Sequence, residues 1–355
     1  MKNKIGILTL PFDPNYGWIL QLWALYNFLN NNGYDVVVID RRWNDPNPSF
    51  VKDLKRWLYY NIFCHHFTTF FKKEFKRSPV LRNEESLKRF IQEEKIGAIV
   101  VGSDQVWRIE NTRGVGLNFF LDFVEGNNVI KKVAYAASFG IDQWNGTEIE
   151  TNKVSKLLNA FDLITVREMS GVNLCKDVFN VKAEQVLDPT MLSGESKYAP
   201  LLDTTNKKRK QLVTYLLDNN ANKLNIVNYI ANELGDSVKH LYTKKHSHYS
   251  FYLPVEKWLN EIKNADFVVV DSFHGMVFSI LFNKPFLVIG NINRGMTRFE
   301  SLLSDLRLTS RLIDENIAKP DIIKIINCDI DYAAVFERLE VLRGYSRELL
   351  LNSLS

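Results

Sequence analysis

The chain has 355 residues, of which 46% are hydrophobic and 24% are charged, with a formal net charge of +4. This length favours two domains, the composition is typical of a globular protein, and the charge is too small to indicate nucleic-acid binding. The three cysteines, Cys64, Cys175 and Cys328, are scattered without a Cys-x-x-Cys pair, which argues against a disulfide framework or a zinc site and favours reduced thiols, as in the cytoplasm.

The N-terminal region has the order of elements that is typical of a βαβ unit. Residues 5–10 form an apolar run typical of a buried strand, and Pro11 ends it too soon for a signal peptide or a membrane span. A polar loop follows, residues 18–32 then show helical periodicity that Gly33 ends, and residues 36–39 form a second apolar run. This order predicts a Rossmann-like unit.

Basic and aromatic residues are concentrated in residues 51–77, where seven Lys or Arg stand against two acids among eight aromatics. One interpretation is a face for peripheral contact with the inner face of a membrane, through anionic lipid or a lipid-linked acceptor. The other, which we favour modestly, is a helical hairpin whose aromatics pack on the first domain or at a homodimer interface.

Further short apolar runs follow, and they are continuous rather than alternating, which is typical of parallel strands covered on both faces. In the first half they occupy residues 96–101, 133–138, 163–166 and 185–188. The polar residues 192–210 predict a linker. Beyond it we predict strands at residues 211–217, 238–242, 267–271 and 286–289, and helices at 221–234, from 275, from 298 and at 332–354. Thr297 and Glu300 have the spacing of a capping box.

The predicted fold class is therefore α/β, with two Rossmann-like domains. We assign residues 1–195 to the N-terminal domain, with a helical insertion at about 44–90, and residues 205–330 to the C-terminal domain. Residues 331–355 are predicted to form a helix that packs back on the N-terminal domain. Two such domains facing each other across a cleft would have the arrangement of a GT-B-like fold.

Polar and small residues follow the predicted strands, at the edge where ligands bind in open parallel sheets. Each acid among them could instead cap the next helix, which is the commoner role. No dinucleotide fingerprint or P-loop is present, so NAD is disfavoured. The candidates in the first half are Asn15, Tyr16, Gly17, Gly102, Ser103, Asp104, Arg167 and Asp188, and those in the second half are Asp271, Ser272, Phe273, His274, Gly275, Arg294 and Arg298.

His274 is the sharpest candidate, because it follows a buried strand and opens a helix beside a glycine. A helix N-terminus favours an anion, and a histidine there can act as a general acid or base. The alternative is a polar residue that only satisfies backbone groups, and position alone does not separate the two roles.

Arg167, Arg294 and Arg298 are candidates for a clamp on phosphate or carboxylate, because a guanidinium offers two parallel donors. The alternative for any one of them is a surface ion pair, and Arg167 with Glu168 could form a self-contained pair. The remaining histidines have no convincing metal spacing, so no metal site is expected.

Six segments, taken in this order along the chain, resemble the polysaccharide pyruvyltransferase family over roughly residues 5–310. Each motif alone is weak, whereas the ordered set is specific. They are Asn15-Tyr16-Gly17, Val101-Gly102-Ser103-Asp104-Gln105-Val106-Trp107, Ala134-Tyr135-Ala136-Ala137-Ser138-Phe139-Gly140, Val166-Arg167-Glu168, Val186-Leu187-Asp188-Pro189-Thr190 and Asp271-Ser272-Phe273-His274-Gly275.

The resemblance implies a GT-B-like fold and transfer of a pyruvyl group from phosphoenolpyruvate to a sugar, usually as a cyclic ketal. It implies a role in bacterial capsule, exopolysaccharide or cell-wall polymer synthesis, with no cofactor beyond phosphoenolpyruvate as co-substrate. The acceptor would be a galactose-like or other hexose, whether lipid-linked, nucleotide-linked or polymeric, on the N-terminal domain, with phosphoenolpyruvate on the C-terminal one. Two rivals stay open: a nucleotide-sugar glycosyltransferase and a non-catalytic sugar-binding homologue.

The family's functional residues carry over only in part. Its histidine corresponds to His274 as the general acid, and the arginine of its Arg-Glu motif corresponds to Arg167. Where members with known sites have arginine-leucine-histidine, this chain has Ser272-Phe273-His274, so one arginine is missing. Our hypothesis is that Arg298 or Arg294 replaces it. We assign Arg167, Arg294, Arg298, Ser272, Phe273 and Gly275 to phosphoenolpyruvate, and Asn15, Tyr16, Gly17, Gly102, Ser103, Asp104, Asp188 and Asp271 to the acceptor or the cleft.

Overall fold

A computed structural model of the chain describes residues 4–43, 49–203, 210–241, 252–290 and 295–355. The chain divides into two compact units. Unit 1 contains Met1–Ser49, Phe71–Ser193 and Val341–Ser355, and unit 2 contains Phe50–Phe70 and Gly194–Glu340. Each unit therefore combines segments that are far apart in the sequence.

Unit 1 is built on six parallel strands: β1 (Lys4–Leu8), β2 (Asp35–Val38), β3 (Ala98–Asp104), β4 (Lys131–Ala137), β5 (Leu163–Val166) and β6 (Glu184–Gln185). They lie in the order β2-β1-β3-β4-β5-β6. Residues such as Ile99, Val101 and Ala134 join one hydrophobic core with Trp107, which stacks on Phe120 with ring centroids 5.5 Å apart. The continuous apolar runs confirm the prediction of parallel strands buried on both faces.

The helices that begin in unit 1 follow its strands. They are α1 (Tyr16–Asn31), α4 (Glu84–Glu93), α5 (Ile109–Thr112), α6 (Glu148–Leu158) and α7 (Met169–Asp177). Asn15 caps α1, and Thr147 with Glu150 forms a capping box at the start of α6. These caps satisfy backbone N–H groups that have no partner within the helix.

Unit 2 has five parallel strands in the order β11-β10-β9-β7-β8. They are β7 (Gln211–Tyr215), β8 (Ser237–His240), β9 (Phe267–Val270), β10 (Phe286–Ile289) and β11 (Leu312–Ile313). The helices are α8 (Ala221–Leu234), α9 (Val255–Asn264), α10 (Phe273–Leu281), α11 (Thr297–Asp305) and α12 (Lys319–Ile326). All four residues of β9 and of β10 are buried, as a central position in a covered parallel sheet requires.

The segment predicted as an insertion in the first domain is divided between the two units. It contains α2 (Phe50–Leu58), which continues as one π-helical turn at Tyr59–Phe63, and α3 (His65–Glu74). Phe50–Phe70 belongs to unit 2, where Phe67 packs edge-on against Tyr252 with centroids 5.3 Å apart. The remainder belongs to unit 1, where Trp23 donates to Glu74 at 3.0 Å.

The final helix, α13 (Tyr332–Leu354), has the predicted bounds. Its last part belongs to unit 1 and holds the chain that follows β6. The Ser346 hydroxyl accepts from the Leu187 backbone at 3.1 Å, and Arg343 and Arg347 donate to the Met191 and Leu192 carbonyls, both at 2.7 Å.

Three local predictions were wrong. The strand predicted at 185–188 is only Glu184–Gln185, because Asp188 and Pro189 open a 3₁₀ turn. Thr297 and Glu300 form no capping box, since α11 begins at Thr297 itself and Met296 makes no side-chain cap. The linker predicted at 192–210 includes a 3₁₀ helix, Glu195–Leu201, in which Tyr198 is buried against Phe278. Residues 204–209 of that linker lie outside the described residues.

Candidate functional site

Strand order identifies one edge position in each unit where a ligand can enter. The order reverses between β1 and β3 in unit 1, and between β7 and β9 in unit 2. At such a point the connections leave on opposite faces, and a crevice opens beyond the carboxyl ends of the strands. The segments that follow these four strands contain most of the sequence-predicted residues.

Residues 13–17 follow β1 in unit 1. The Asn15 side chain caps α1 by accepting from Gly17 and Trp18 backbone N–H groups at 2.8 and 3.2 Å. Tyr16 is fully buried in the core. Solvent reaches Asp13, yet the protein around its carboxyl raises the pKa above its usual value, and the Asp104 carboxylate raises it further. Of this segment, Asp13 is therefore an accessible and perturbed group.

Arg167 lies at the end of β5 among carboxylates. Its Nη1 is 2.7 Å from Asp188 Oδ2, and its Nη2 is 3.6 Å from Asp104 Oδ1. Asp188 also accepts from Ser103 at 3.0 Å and from the Thr190 hydroxyl at 2.6 Å. Burial lowers the pKa of Arg167, but these carboxylates outweigh it and the net shift is upward. The cluster therefore joins the ends of β3 and β5 to the turn after β6.

Glu168, the next residue, is fully buried and holds the loop after β4. Its Oε1 accepts from the Ser138 hydroxyl at 2.8 Å and from the Phe139 and Gly140 backbones at 3.0 and 3.2 Å. The sequence predicted Glu168 only as a partner for Arg167. Its position directly after a strand is the signal that could have identified it as a residue of the site. Carboxylates outnumber cations in this part of unit 1.

The backbone at this edge is strained. Asp104, at the end of β3, has a φ of 69°, and Ala136 has a φ of 49° at an irregularity in the pairing of β4 with β5. Such left-handed conformations are unfavourable for residues with a side chain and cluster at functional sites. Gly102 has a packing explanation, because an added Cβ would lie 2.5 Å from Leu25 on α1.

In unit 2, Asp271 is fully buried and organises the loop after β7. Its carboxylate accepts from the Leu217 and Asp218 backbones at 2.6 and 3.1 Å and pairs with Lys223 on α8 at 2.8 Å. No sequence signal linked Lys223 to Asp271, since 48 residues separate them. These contacts give Asp271 a structural role. Its contact with the acceptor sugar stays a prediction.

Ser272 is the N-cap of α10, and its hydroxyl accepts from the Gly275 backbone at 3.4 Å. His274 is therefore in the first turn of the helix, where backbone N–H groups point outward and favour an anion. Its side chain is buried at 6% exposure. Gly275 allows α10 to approach β9, because an added Cβ would lie 2.9 Å from Val270.

Arg298 lies on α11 close to this turn. Its guanidinium carbon is 5.7 Å from the centroid of the Phe273 ring, which in turn is 5.3 Å from the His274 ring centroid. Like Phe273 and His274, Arg298 is buried. A buried cation therefore lies next to the helix start that carries the histidine. Arg294 is outside the described residues.

The two edges differ in composition. Unit 1 presents carboxylates and hydroxyls around one buried arginine, which pairs with Asp188 and Asp104. Unit 2 presents a histidine and an arginine at a helix N-terminus, with the buried Asp271–Lys223 pair at the same edge. Among the described residues, no group of three or more His, Cys, Asp or Glu is arranged to hold a metal ion. The contacts of the predicted residues with substrates remain predictions.

Comparison with solved structures supports the fold assignment. The chain is similar to the Staphylococcus aureus MnaA–UDP co-structure (TM-score 0.54, 16% identity, covering 96% of this chain and 91% of that one). It is equally similar to UDP-GlcNAc 2-epimerases from Methanocaldococcus jannaschii (TM-score 0.54, 13% identity, 92% and 93% covered) and Neisseria meningitidis (TM-score 0.54, 11% identity, 100% and 99% covered). These likenesses show a GT-B-type fold.

No curated protein matches the sequence of the chain. A family model described as polysaccharide pyruvyl transferase matches residues 15–293. That range covers most of the chain, from the α1 cap to β10, and includes the segments that follow β3, β5 and β9. The chain therefore belongs to the polysaccharide pyruvyl transferase family.

Proposed function

We propose that the protein transfers the pyruvyl group of phosphoenolpyruvate to two hydroxyls of a hexose, forming a cyclic ketal in bacterial capsule, exopolysaccharide or cell-wall polymer synthesis. Family membership supports a transferase that acts on polysaccharides. The observation that carries the finer proposal is His274 in the first turn of α10 with Arg298 over the neighbouring Phe273 ring.

The unit 2 edge suits phosphoenolpyruvate, which carries a phosphate and a carboxylate. Outward N–H groups at the start of α10 and the guanidinium of Arg298 are donors that anionic oxygens prefer. Ser272 stands where family members have an arginine, and its hydroxyl caps the helix. We propose that Arg298 supplies the cation that the Ser272 position lacks.

The reaction needs one acid and two nucleophiles. His274 donates a proton to the methylene carbon of phosphoenolpyruvate, which becomes a methyl group, and C2 becomes an oxocarbenium-like electrophile. One sugar hydroxyl attacks C2, and the C2–O bond to phosphate breaks, releasing inorganic phosphate. The second hydroxyl then closes the ketal. Each hydroxyl loses its proton, of which one restores His274 and the other leaves on the inorganic phosphate. Fixed cationic donors stabilise the departing phosphate.

The unit 1 edge suits the acceptor, because carboxylates and hydroxyls hydrogen-bond to sugar hydroxyls. Asp13 is exposed and has a raised pKa, so it can accept a proton from an attacking hydroxyl. Arg167 is engaged with Asp188 and Asp104. We therefore propose that Arg167 positions these carboxylates, which revises its predicted role as a phosphoenolpyruvate ligand.

The experiment is to incubate the purified chain with phosphoenolpyruvate and lipid-linked or nitrophenyl galactosides, and to measure inorganic phosphate and product mass. Ketal formation releases phosphate and adds the mass of pyruvate less one water. Release of a nucleotide from UDP-sugars instead would indicate a glycosyltransferase, and the UDP ligands of the similar structures make this the control to run. Binding without turnover would indicate a sugar-binding protein.

His274→Ala tests the assignment of the acid. Turnover should fall by roughly 10²- to 10⁴-fold, the usual contribution of a positioned general acid. His66→Ala, which removes a histidine in α3 that the proposed chemistry does not use, is the matched control and should keep wild-type turnover. Wild-type turnover in a folded His274→Ala protein would overturn the assignment.

A further inference from the structure

Helix α2 and the π-helical turn after it carry large apolar side chains in solvent. Phe50 is 81% exposed, Trp57 58% and Ile62 56%, and Val51, Leu54 and Leu58 are exposed as well. Single exposed apolar residues are ordinary, but a contiguous set of this size marks an interaction surface. The catalytic proposal makes no use of these residues.

The apolar residues of α2 lie on one face. At about 100° per residue, Phe50, Val51, Leu54, Trp57 and Leu58 fall within an arc of about 120°. The exposed basic residues Lys52, Lys55 and Arg56 fall outside that arc, beside or opposite it. A helix with this division is amphipathic, yet its apolar face is turned to solvent and away from the core.

We propose that this surface, the α2 face, binds an anionic lipid bilayer. A helix with aromatic and leucine residues on one face and lysine or arginine on the other lies in the plane of the interface, with its apolar side about 5–10 Å into the headgroup region. Long basic side chains reach lipid phosphates from the flanks, and tryptophan favours the headgroup level. The composition of the α2 face meets each of these conditions.

A bilayer fits the α2 face better than a second copy of the chain. In a two-fold dimer the same surface meets itself, so the row that contains Lys55, beside the apolar arc, would approach its own copy and repel it. A bilayer instead supplies negative charge to every basic residue. Among the helices in the described ranges, none is long and apolar enough to cross a membrane.

The test is co-sedimentation of the full chain with phosphatidylcholine vesicles that contain, or lack, one quarter phosphatidylglycerol. Wild type should pellet with the anionic vesicles, less so at high salt, and should stay in solution with phosphatidylcholine alone. Each basic side chain near an anionic surface contributes roughly a fivefold gain in partitioning, so changing Lys52, Lys55 and Arg56 to Gln together should weaken binding roughly a hundredfold.

The apolar contribution is tested with Phe50→Ser, Leu54→Ser and Trp57→Ser combined, which should lower partitioning at least tenfold by removing buried apolar area. Val129→Ser with Ile149→Ser, two exposed apolar residues of unit 1, is the matched control and should bind like wild type. Circular dichroism and the unfolding temperature confirm that each variant is folded.

Three results would overturn the proposal. The first is equal sedimentation of the triple serine variant and wild type with anionic vesicles, and the second is no sedimentation of wild type. The third is a wild-type dimer that becomes monomeric in the triple serine variant while vesicle binding stays unchanged, which would assign the α2 face to a second copy. The assay requires no turnover, so its outcome is independent of the pyruvyl transfer assay.

Discussion

Two buried arginines, Arg167 and Arg298, lie at the edges of different units. Arg167 is held by Asp188 and Asp104, whereas Arg298 lies over the Phe273 ring beside the start of α10. In the sequence, both residues follow predicted strands, and both were therefore equal candidates for an anion ligand. The carboxylates around Arg167 support its proposed positioning role, and the place of Arg298 beside the start of α10 supports its proposed role as an anion ligand.

Arg298→Gln should raise the KM for phosphoenolpyruvate roughly 10- to 100-fold, because a hydrogen bond to a charged group is lost. If Arg298 replaces the missing arginine, adding Ser272→Arg should recover part of that loss, although removal of the Ser272 cap costs about 1 kcal/mol of stability. Steady-state kinetics of the two single variants and the double variant measure this. An unchanged KM in Arg298→Gln would refute the assignment.

Arg167→Ala should lower the free energy of unfolding by about 3–5 kcal/mol, because it leaves buried carboxylates without their partner. The matched control is Lys156→Ala, which removes an exposed pair with Glu125 and should leave the unfolding temperature unchanged. Chemical denaturation followed by fluorescence gives both values. Wild-type stability with a raised KM for phosphoenolpyruvate would instead return Arg167 to the role of a ligand.

Asp13 should make the stability depend on pH. Its folded-state pKa is raised, so the folded state holds the proton more tightly and stability falls as pH rises from the unfolded to the folded pKa. Asp13→Asn should therefore raise the unfolding temperature at pH 7, with the gain lost near pH 3, where both states are protonated. Asp142→Asn, at an exposed position, is the control and should show no such pH-dependent gain. Calorimetry at several pH values measures the unfolding temperatures.

At the scale of elements, the sequence was most informative where one apolar run makes one strand. Runs at 163–166 and 286–289 match β5 and β10 residue for residue, and α13 has its predicted bounds. The sequence did not predict the ends of elements that are set by tertiary contacts. Strand β6 is an example, because the Asp188 cap and the contacts of α13 determine the course of the chain that follows it. The pairing of Asp271 with Lys223 has no local signature.

Two glycines in helices should respond to alanine in opposite directions. Gly275→Ala would place a Cβ 2.9 Å from Val270 and should destabilise by about 1–3 kcal/mol, because α10 must move away from β9. Gly344→Ala in α13 meets nothing within 4 Å and should stabilise by about 0.5–1 kcal/mol through lower backbone entropy. Denaturant titration measures both, and equal signs would contradict the packing explanation of Gly275.

At the scale of the whole molecule, the sequence predicted two α/β halves, and two parallel sheets confirm that class. The membership of Phe50–Phe70 could not be predicted, because it depends on contacts such as Phe67 with Tyr252, nearly two hundred residues away. The different sets of side chains at the two edges were also beyond the sequence, since they depend on which residues meet in the fold.

Phosphoenolpyruvate should therefore protect unit 2 selectively. A ligand at one hundred times its Kd stabilises the state that binds it by about 2.7 kcal/mol. Hydrogen exchange should slow in the loop after β7 and in the first turn of α10, while the segments after β1 and β3 keep their rates. In the control variant Arg298→Gln, phosphoenolpyruvate should no longer slow the exchange. Protection confined to unit 1 would instead assign phosphoenolpyruvate to unit 1.

The three-segment composition of unit 1 has a consequence for biosynthesis. Val341–Ser355 completes this unit, through Arg343, Ser346 and Arg347, and leaves the ribosome only after the whole of unit 2 has been made. The nascent first sheet must therefore wait, with the chain after β6 uncovered, until these residues have been made. Folding on the ribosome is thus expected to finish the second unit before the first, against the order of the gene.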